Sequence, residues 1–117
     1  MTSVQQIVAY VQDAYGVAPD CPFQDTEALV FRHAGSRKWF AVLMAVPAAK
    51  LGLPGDGLRD ILNLKCDPRL SGSLRAQEGV LPAYHMNKEH WITLVLDSSF
   101  PTDELFALID LSHHLTQ

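Results

Sequence analysis

Residues 28–46, ALVFRHAGSRKWFAVLMAV, contain two β-rich runs separated by a short polar segment. The runs at 28–33 and 38–46 are rich in the β-branched, aromatic and other apolar side chains typical of strands. Gly35 and Ser36 supply turn residues between them. Because two strands joined by so short a turn must be antiparallel, this stretch predicts a β-hairpin with basic residues at its tip.

A helix and a loop precede the hairpin, and a third strand follows it. Apolar residues at helical spacing predict a helix over roughly 3–15, with Thr2 or Ser3 as its N-cap. The segment 17–27, which has two prolines and three acids, is predicted as a loop. The run at 58–66 is predicted as a partly exposed strand, although Ile61 falls on its polar side. The side chains expected on the other side of that strand are Leu58, Leu62, Leu64 and Cys66.

The C-terminal half supplies two helices and one strand. Asp67-Pro68 is a helix-start signal and predicts a short helix over 68–77. The run at 91–96 is the clearest strand, and a last helix is predicted to begin after Pro101 with Thr102 as N-cap. The order is therefore α-β-β-β-α-β-α, which predicts an α+β fold: an antiparallel β-sheet with helices packed on one face.

Length and composition predict one soluble domain over residues 1–117. Apolar residues make up 48% of the 117 and charged residues 19%, as in ordinary globular proteins. The longest apolar run, 39–49, is shorter than the roughly 20 residues that cross a bilayer, and the N-terminus does not resemble a secretory signal. We expect a cytoplasmic monomer that does not enter a membrane.

Charge is distributed unevenly along the chain. The net charge is -4, yet all nine Lys and Arg residues fall within 32–96, where there are only five acids. The segments 1–31 and 97–117 contain four acids each and neither Lys nor Arg. A basic middle between acidic ends is compatible with contacts to phosphates despite the negative total.

No pattern of residues predicts catalysis or a bound metal. His85 and His90 are five residues apart, and metal-binding pairs on a helix are normally four apart. Neither Cys21 nor Cys66 lies in a CxxC motif or beside an activating base, and no nucleophile elbow or phosphate loop is present. We therefore expect a non-enzymatic protein without a catalytic residue, metal or cofactor.

The segment His85-Met86-Asn87-Lys88-Glu89-His90-Trp91 resembles the HxNKxHW signature of the MmcQ/YjbR family of small bacterial proteins. Lys38-Trp39-Phe40-Ala41 and Leu64-Lys65-Cys66-Asp67-Pro68 also resemble segments of that family, so the similarity covers nearly the whole chain. The glycine-rich linker 51–57 matches no motif of the family. The resemblance implies a CyaY/frataxin-like α+β fold, whose two projecting β-hairpins have been likened to a double-wing DNA-binding motif.

Within the signature, most residues are predicted to stabilise the fold. Asn87 suits the N-cap of a single helical turn, and this turn would bring Trp91 to the sheet. His85 or His90 could hold the turn by hydrogen bonds to the backbone. Lys88 has no predicted role in capping or packing, so we expect its role to lie outside the fold.

Two functions are compatible with these features. The first is weak, salt-sensitive DNA binding through phosphate contacts, with Trp39 as an aromatic contact. The basic residues predicted to make those contacts are Arg32, Arg37, Lys38, Arg75 and Lys88. The alternative is a non-enzymatic module that binds a protein or a small ligand with its sheet face or with the 85–91 loop.

Overall fold

A five-stranded antiparallel sheet, with strand order β1-β2-β3-β5-β4, forms the centre of the computed structural model, which describes residues 1–22 and 27–117. The elements are α1 (Val4–Tyr15), β1 (Leu29–Arg32), β2 (Trp39–Pro47), a 3₁₀ turn (Ala48–Leu51), β3 (Leu58–Lys65), α2 (Pro68–Arg75), β4 (Val80–Pro82), β5 (Trp91–Val95) and α3 (Thr102–Leu115). The predicted α+β class and the predicted hairpin of β1 and β2 are confirmed.

Strand β4 corrects the predicted element order, which becomes α-β-β-β-α-β-β-α. The strand has only three residues and ends in Pro82, so it lacks the alternating pattern that reveals a longer strand. It forms through antiparallel pairing with β5, where Val80 lies opposite Leu94. The sheet therefore contains a second hairpin, whose connecting loop is 83–90 and includes most of the signature segment.

The three helices pack on one face of the sheet, as predicted. Ile7 and Val11 of α1, together with Leu105 and Ile109 of α3, are buried in one cluster with side chains from the sheet. Leu74 of α2 packs against the same cluster. We call this side of the sheet the helix face.

The opposite face of the sheet, here called the open face, has a smaller apolar cluster. Val46, Ile61 and Val95 are buried there, and Leu51 and Tyr84 from two loops pack against them. Ile61 lies on the side of β3 opposite Leu62 and Leu64, as predicted, but it is fully buried because the 3₁₀ turn and the 83–90 loop cover this face locally. Conversely, Leu58 at the start of β3 is 67% exposed.

The helix starts agree with the predictions only in part. Ser3 caps α1 and forms a capping box with Gln6. The N-cap of α3 is Pro101, and the prediction of Thr102 is wrong: its hydroxyl is hydrogen-bonded to that of Thr2 at 2.7 Å. In the predicted loop 17–27, Asp20 forms an isolated bridge with Val30, and residues 23–26 lie outside the described part of the chain.

Candidate nucleic-acid interface

The loops of both hairpins lie at the same end of the sheet. Ala41 near the start of β2 pairs with Leu64 near the end of β3, and Leu64 pairs with Ile92 near the start of β5. The 33–38 tip, the junction after β3 and the 83–90 loop consequently share one end, which we call the wing end. Because one strand lies between β2 and β5, these adjacent strands of the two hairpins are separated by about 10 Å.

The wing end has an excess of positive charge. Its three segments, 32–39, 65–69 and 83–91, contain six Lys and Arg residues and two acids, Asp67 and Glu89. Asp67 accepts hydrogen bonds from Arg69, and these bonds lower the pKa of the Asp67 carboxyl to about 2. The charge of Arg69 is therefore compensated locally. Lys65 is also one of the six basic residues of the wing end. Sequence reasoning did not predict it as a contact, because a lysine at the end of a strand has no distinguishing local pattern.

At the hairpin tip, Asp20 compensates part of the basic charge. Its Oδ2 accepts hydrogen bonds from Arg32 Nε at 3.1 Å and from Arg37 Nη2 at 3.4 Å. The guanidinium carbon of Arg32 also lies 5.5 Å from the centroid of the half-buried Trp39 ring. Arg37 remains 63% exposed and has a left-handed φ of 66°. Lys38 is exposed, and no carboxylate of the described residues lies within ion-pair distance of it.

Asn87 organises the second loop. Its side-chain oxygen accepts hydrogen bonds from the backbone amides of Glu89 at 2.8 Å and His90 at 3.2 Å, and its carbonyl accepts one from Trp91 N at 2.9 Å. This geometry is a capped helical turn that leads into β5. Trp91 is half-buried on the open face, where its strand partner is Lys65.

The other polar residues of this loop differ from the sequence-based expectations. In the part of the chain that the structure describes, no hydrogen bond holds the imidazole of His85 or His90 to the backbone, and the His85 ring instead meets the edge of Tyr84. Lys88 does have an intramolecular partner, because its Nζ donates to the carbonyl of Ala83 at 3.0 Å. That bond closes the base of the loop. The exposed ammonium group still has N–H donors that can bind another acceptor.

A buried polar network ties the 83–90 loop to the open face. Thr93 donates its hydroxyl proton to Asn63 Oδ1, while Tyr84 N donates to Thr93 Oγ1 at 2.9 Å. Asn63 Nδ2 completes the network by donating to the Tyr84 carbonyl at 3.1 Å. Asn63 and Thr93 are both fully buried. Sequence reasoning missed these residues, although an Asn inside an apolar strand was an available signal.

Arg75 does not join the other predicted contact residues. It ends α2 on the helix face, and its Nε donates to the carbonyl of Ser71 at 3.3 Å. Its positive charge partly offsets the effect of burial, which raises the pKa of the Cys66 thiol. The predicted basic set is therefore divided between the two faces of the sheet.

The register of β2 is interrupted at the wing end. Phe31 pairs with Ala41 and Arg32 with Trp39, so Phe40 forms an irregularity in the strand. Beside this irregularity the Ser112 hydroxyl of α3 bridges β2 and β3: it accepts from Lys65 N at 2.9 Å and donates to Phe40 O at 2.5 Å. This bridge between α3 and the sheet fixes the base of the first hairpin.

A cluster of aromatic and titratable side chains supports the hairpin from the helix face. His33 is nearly buried; its Nε2 is 2.7 Å from Thr116 Oγ1, and its ring centroid is 4.1 Å from that of His113. Burial lowers the pKa of both histidines. The charge of Lys38 lowers the pKa of His33 further, and the neighbouring His33 lowers that of His113 further. Tyr15 stacks on His113 at 3.8 Å and donates to Asp110.

Tyr10 also donates its hydroxyl proton to Asp110, at 2.7 Å. Burial and this bond raise the pKa of Tyr10 to about 12. In residues 1–22 and 27–117, no three His, Cys, Asp or Glu side chains are grouped as a metal site requires. None of the described helices has the length and apolar character needed to cross a membrane.

The comparisons with known proteins agree with the fold. A family model described as YjbR matches residues 12–115. The chain belongs to the YjbR family. Among its relatives, the uncharacterized protein YyaQ of Bacillus subtilis (strain 168) is 44% identical over 118 residues that span all of both chains. The uncharacterized protein YjbR of Escherichia coli (strain K12) is 41% identical over 56 residues, 47% of this chain and 48% of that protein.

Solved structures from two bacteria have the same architecture. The crystal structure of a protein from Pseudomonas syringae has a TM-score of 0.97 and 44% identity, and the match covers 99% of this chain and all of that one. The Deinococcus radiodurans protein DR2400 has a TM-score of 0.74 and 30% identity over 98% of this chain and 78% of its own. This chain therefore shares its fold with both of these solved structures.

Proposed function

We propose that the chain binds duplex DNA weakly, with the wing end facing the phosphate backbone. The observation that carries the proposal is the second hairpin: it brings the Lys88 loop to the same end of the sheet as the 33–38 tip. The separation of about 10 Å between the adjacent strands of the two hairpins is close to the major-groove width of about 12 Å. Two basic loops at this distance can contact phosphates on both sides of one groove.

The ion pairs of the wing end limit the number of phosphate contacts. Asp20 compensates Arg32, and Asp67 compensates Arg69. The cations left for phosphates are Arg37, Lys38, Lys65 and Lys88. About four contacts give a log–log salt slope near −3.6, which corresponds to an affinity loss of about a hundredfold between 50 and 200 mM salt.

The contacts in this proposal are with the backbone and carry no sequence preference. Lysine and arginine bonds to phosphate position a protein on DNA, whereas specificity requires side chains that reach base edges. In the bacteria of the relatives above, the proposal requires a location in the cytoplasm, where their DNA lies.

Fluorescence anisotropy with a labelled duplex tests the proposal. The chain is titrated into DNA at several salt concentrations between about 50 and 200 mM, and binding is expected to weaken with the slope given above. Arg59→Gln is the matched control, because it removes one positive charge at the opposite end of the sheet, where Arg59 is bound to Asp97. Absence of binding at the lowest salt, or binding that salt does not weaken, would refute the proposal.

A further inference from the structure

The open face contains a cleft that shares only Lys88 with the proposed DNA contacts. It has a volume of about 420 Å³, within the range of about 300–1,000 Å³ typical of small-molecule sites. Its lining includes Lys50, Leu51, Leu81, Tyr84, His85 and Lys88. A neighbouring cavity of about 360 Å³ shares Lys50 and Tyr84 with it, so the two adjoin each other.

One wall of the cleft is held in place by buried hydrogen bonds. The network of Asn63 and Thr93 fixes both backbone polar groups of Tyr84, and Lys88 binds the preceding carbonyl. His85 is held at a φ of 58°, a left-handed conformation that is uncommon outside glycine. Buried polar groups and an unfavourable backbone conformation reduce stability unless the surroundings compensate them, and such features concentrate at binding sites.

The charge of the cleft indicates the chemistry of its ligand. Two lysines and a histidine line it, and no described Asp or Glu residue lines either it or the neighbouring cavity. Lys50 is exposed and has no ion-pair partner among the described residues. The floor is apolar and includes Leu51, Leu81 and the Tyr84 ring.

We infer that this cleft binds a small molecule with an apolar or aromatic body and one carboxylate or phosphate group. The body lies against the Leu51 and Leu81 side chains, and the anion is held by Lys50 with His85 or Lys88. This inference goes beyond DNA binding, and it depends on a different cation, since Lys50 follows β2 at the end of the strand remote from the hairpin tip.

Protein NMR with two matched probes tests the inference. 4-Phenylbutyrate and 4-phenylbutylamine have similar bodies and opposite charges, and each is titrated up to about 10 mM while backbone amide shifts are followed. The butyrate is expected to shift amides within 50–51 and 81–88 with millimolar affinity, and the amine to bind at least about fivefold more weakly.

Variants at exposed positions separate the cleft from the wing end. Lys50→Gln should weaken butyrate binding about fivefold, whereas Lys50→Arg should retain it. Lys38→Gln should leave butyrate binding unchanged, and Lys50→Gln should leave DNA binding unchanged, so each proposal can fail alone. The inference is overturned if the butyrate causes no shifts in the cleft, if the amine binds equally well, or if Lys50→Gln has no effect on butyrate affinity.

Discussion

Replacing Ser112 with alanine should destabilise the fold strongly, although the change removes only one oxygen atom. The hydroxyl is fully buried and bonds both the Lys65 amide and the Phe40 carbonyl across the interrupted register of β2. Without it, two buried backbone groups lose their partners, and each such group costs about 1–3 kcal/mol. We expect the free energy of unfolding to fall by about 2–4 kcal/mol, which is a decrease in Tm of about 10 °C for a domain of this size.

Equilibrium unfolding in urea, followed by tryptophan fluorescence, measures this loss. Ser73→Ala is the matched control, because Ser73 is exposed on α2 and its hydroxyl makes only a long bond of 3.4 Å to Leu70 O. The control should change the free energy by no more than about 0.5 kcal/mol. A loss for Ser112→Ala below about 1 kcal/mol, or equal to that of the control, would refute the role given to the bridge.

Two further predictions concern groups beside the two hairpins. Burial lowers the pKa of His33 and His113, so the unfolded chain binds more protons than the folded chain. The free energy of unfolding should therefore decrease as the pH falls from the unfolded-state pKa of about 6.5 through the lowered folded-state values. In urea denaturation between pH 8 and 5, His113→Gln should reduce this dependence; an unchanged profile in this variant would contradict the assignment. Asn63→Ala should cost about 2–4 kcal/mol, because it leaves the Tyr84 carbonyl without a donor and the Thr93 hydroxyl proton without an acceptor. It should also speed hydrogen exchange at the Tyr84 amide, and protection equal to that of the unchanged protein would contradict the network.

Local patterns were sufficient for most of the fold. The β1–β2 hairpin, the Ser3 cap and β5 depend on residues close together in sequence, so their signals are present in short segments. Strand β4 depends on pairing with β5 and has little pattern of its own. Ser112 acts on backbone groups 47 and 72 residues away, and no local rule connects positions at such distances.

The candidate site was only partly predictable for the same reason. The sequence shows which residues are basic, but not that Asp20 compensates Arg32 or that Arg75 lies on the helix face. Lys65 joins the basic set through the order of the strands. The role of Lys88 within its own loop depends on how the chain turns over the open face at Ala83.

The central claim is that both hairpin loops contact the same DNA duplex, and the salt dependence of binding in single and double variants tests it most directly. Lys38→Gln and Lys88→Gln should each reduce the magnitude of the log–log slope by about 0.9, and the double variant by about 1.8. The slope should not change in Arg59→Gln. Slopes that stay at the unmodified value in both loop variants, or that fall equally in Arg59→Gln, would contradict the claim.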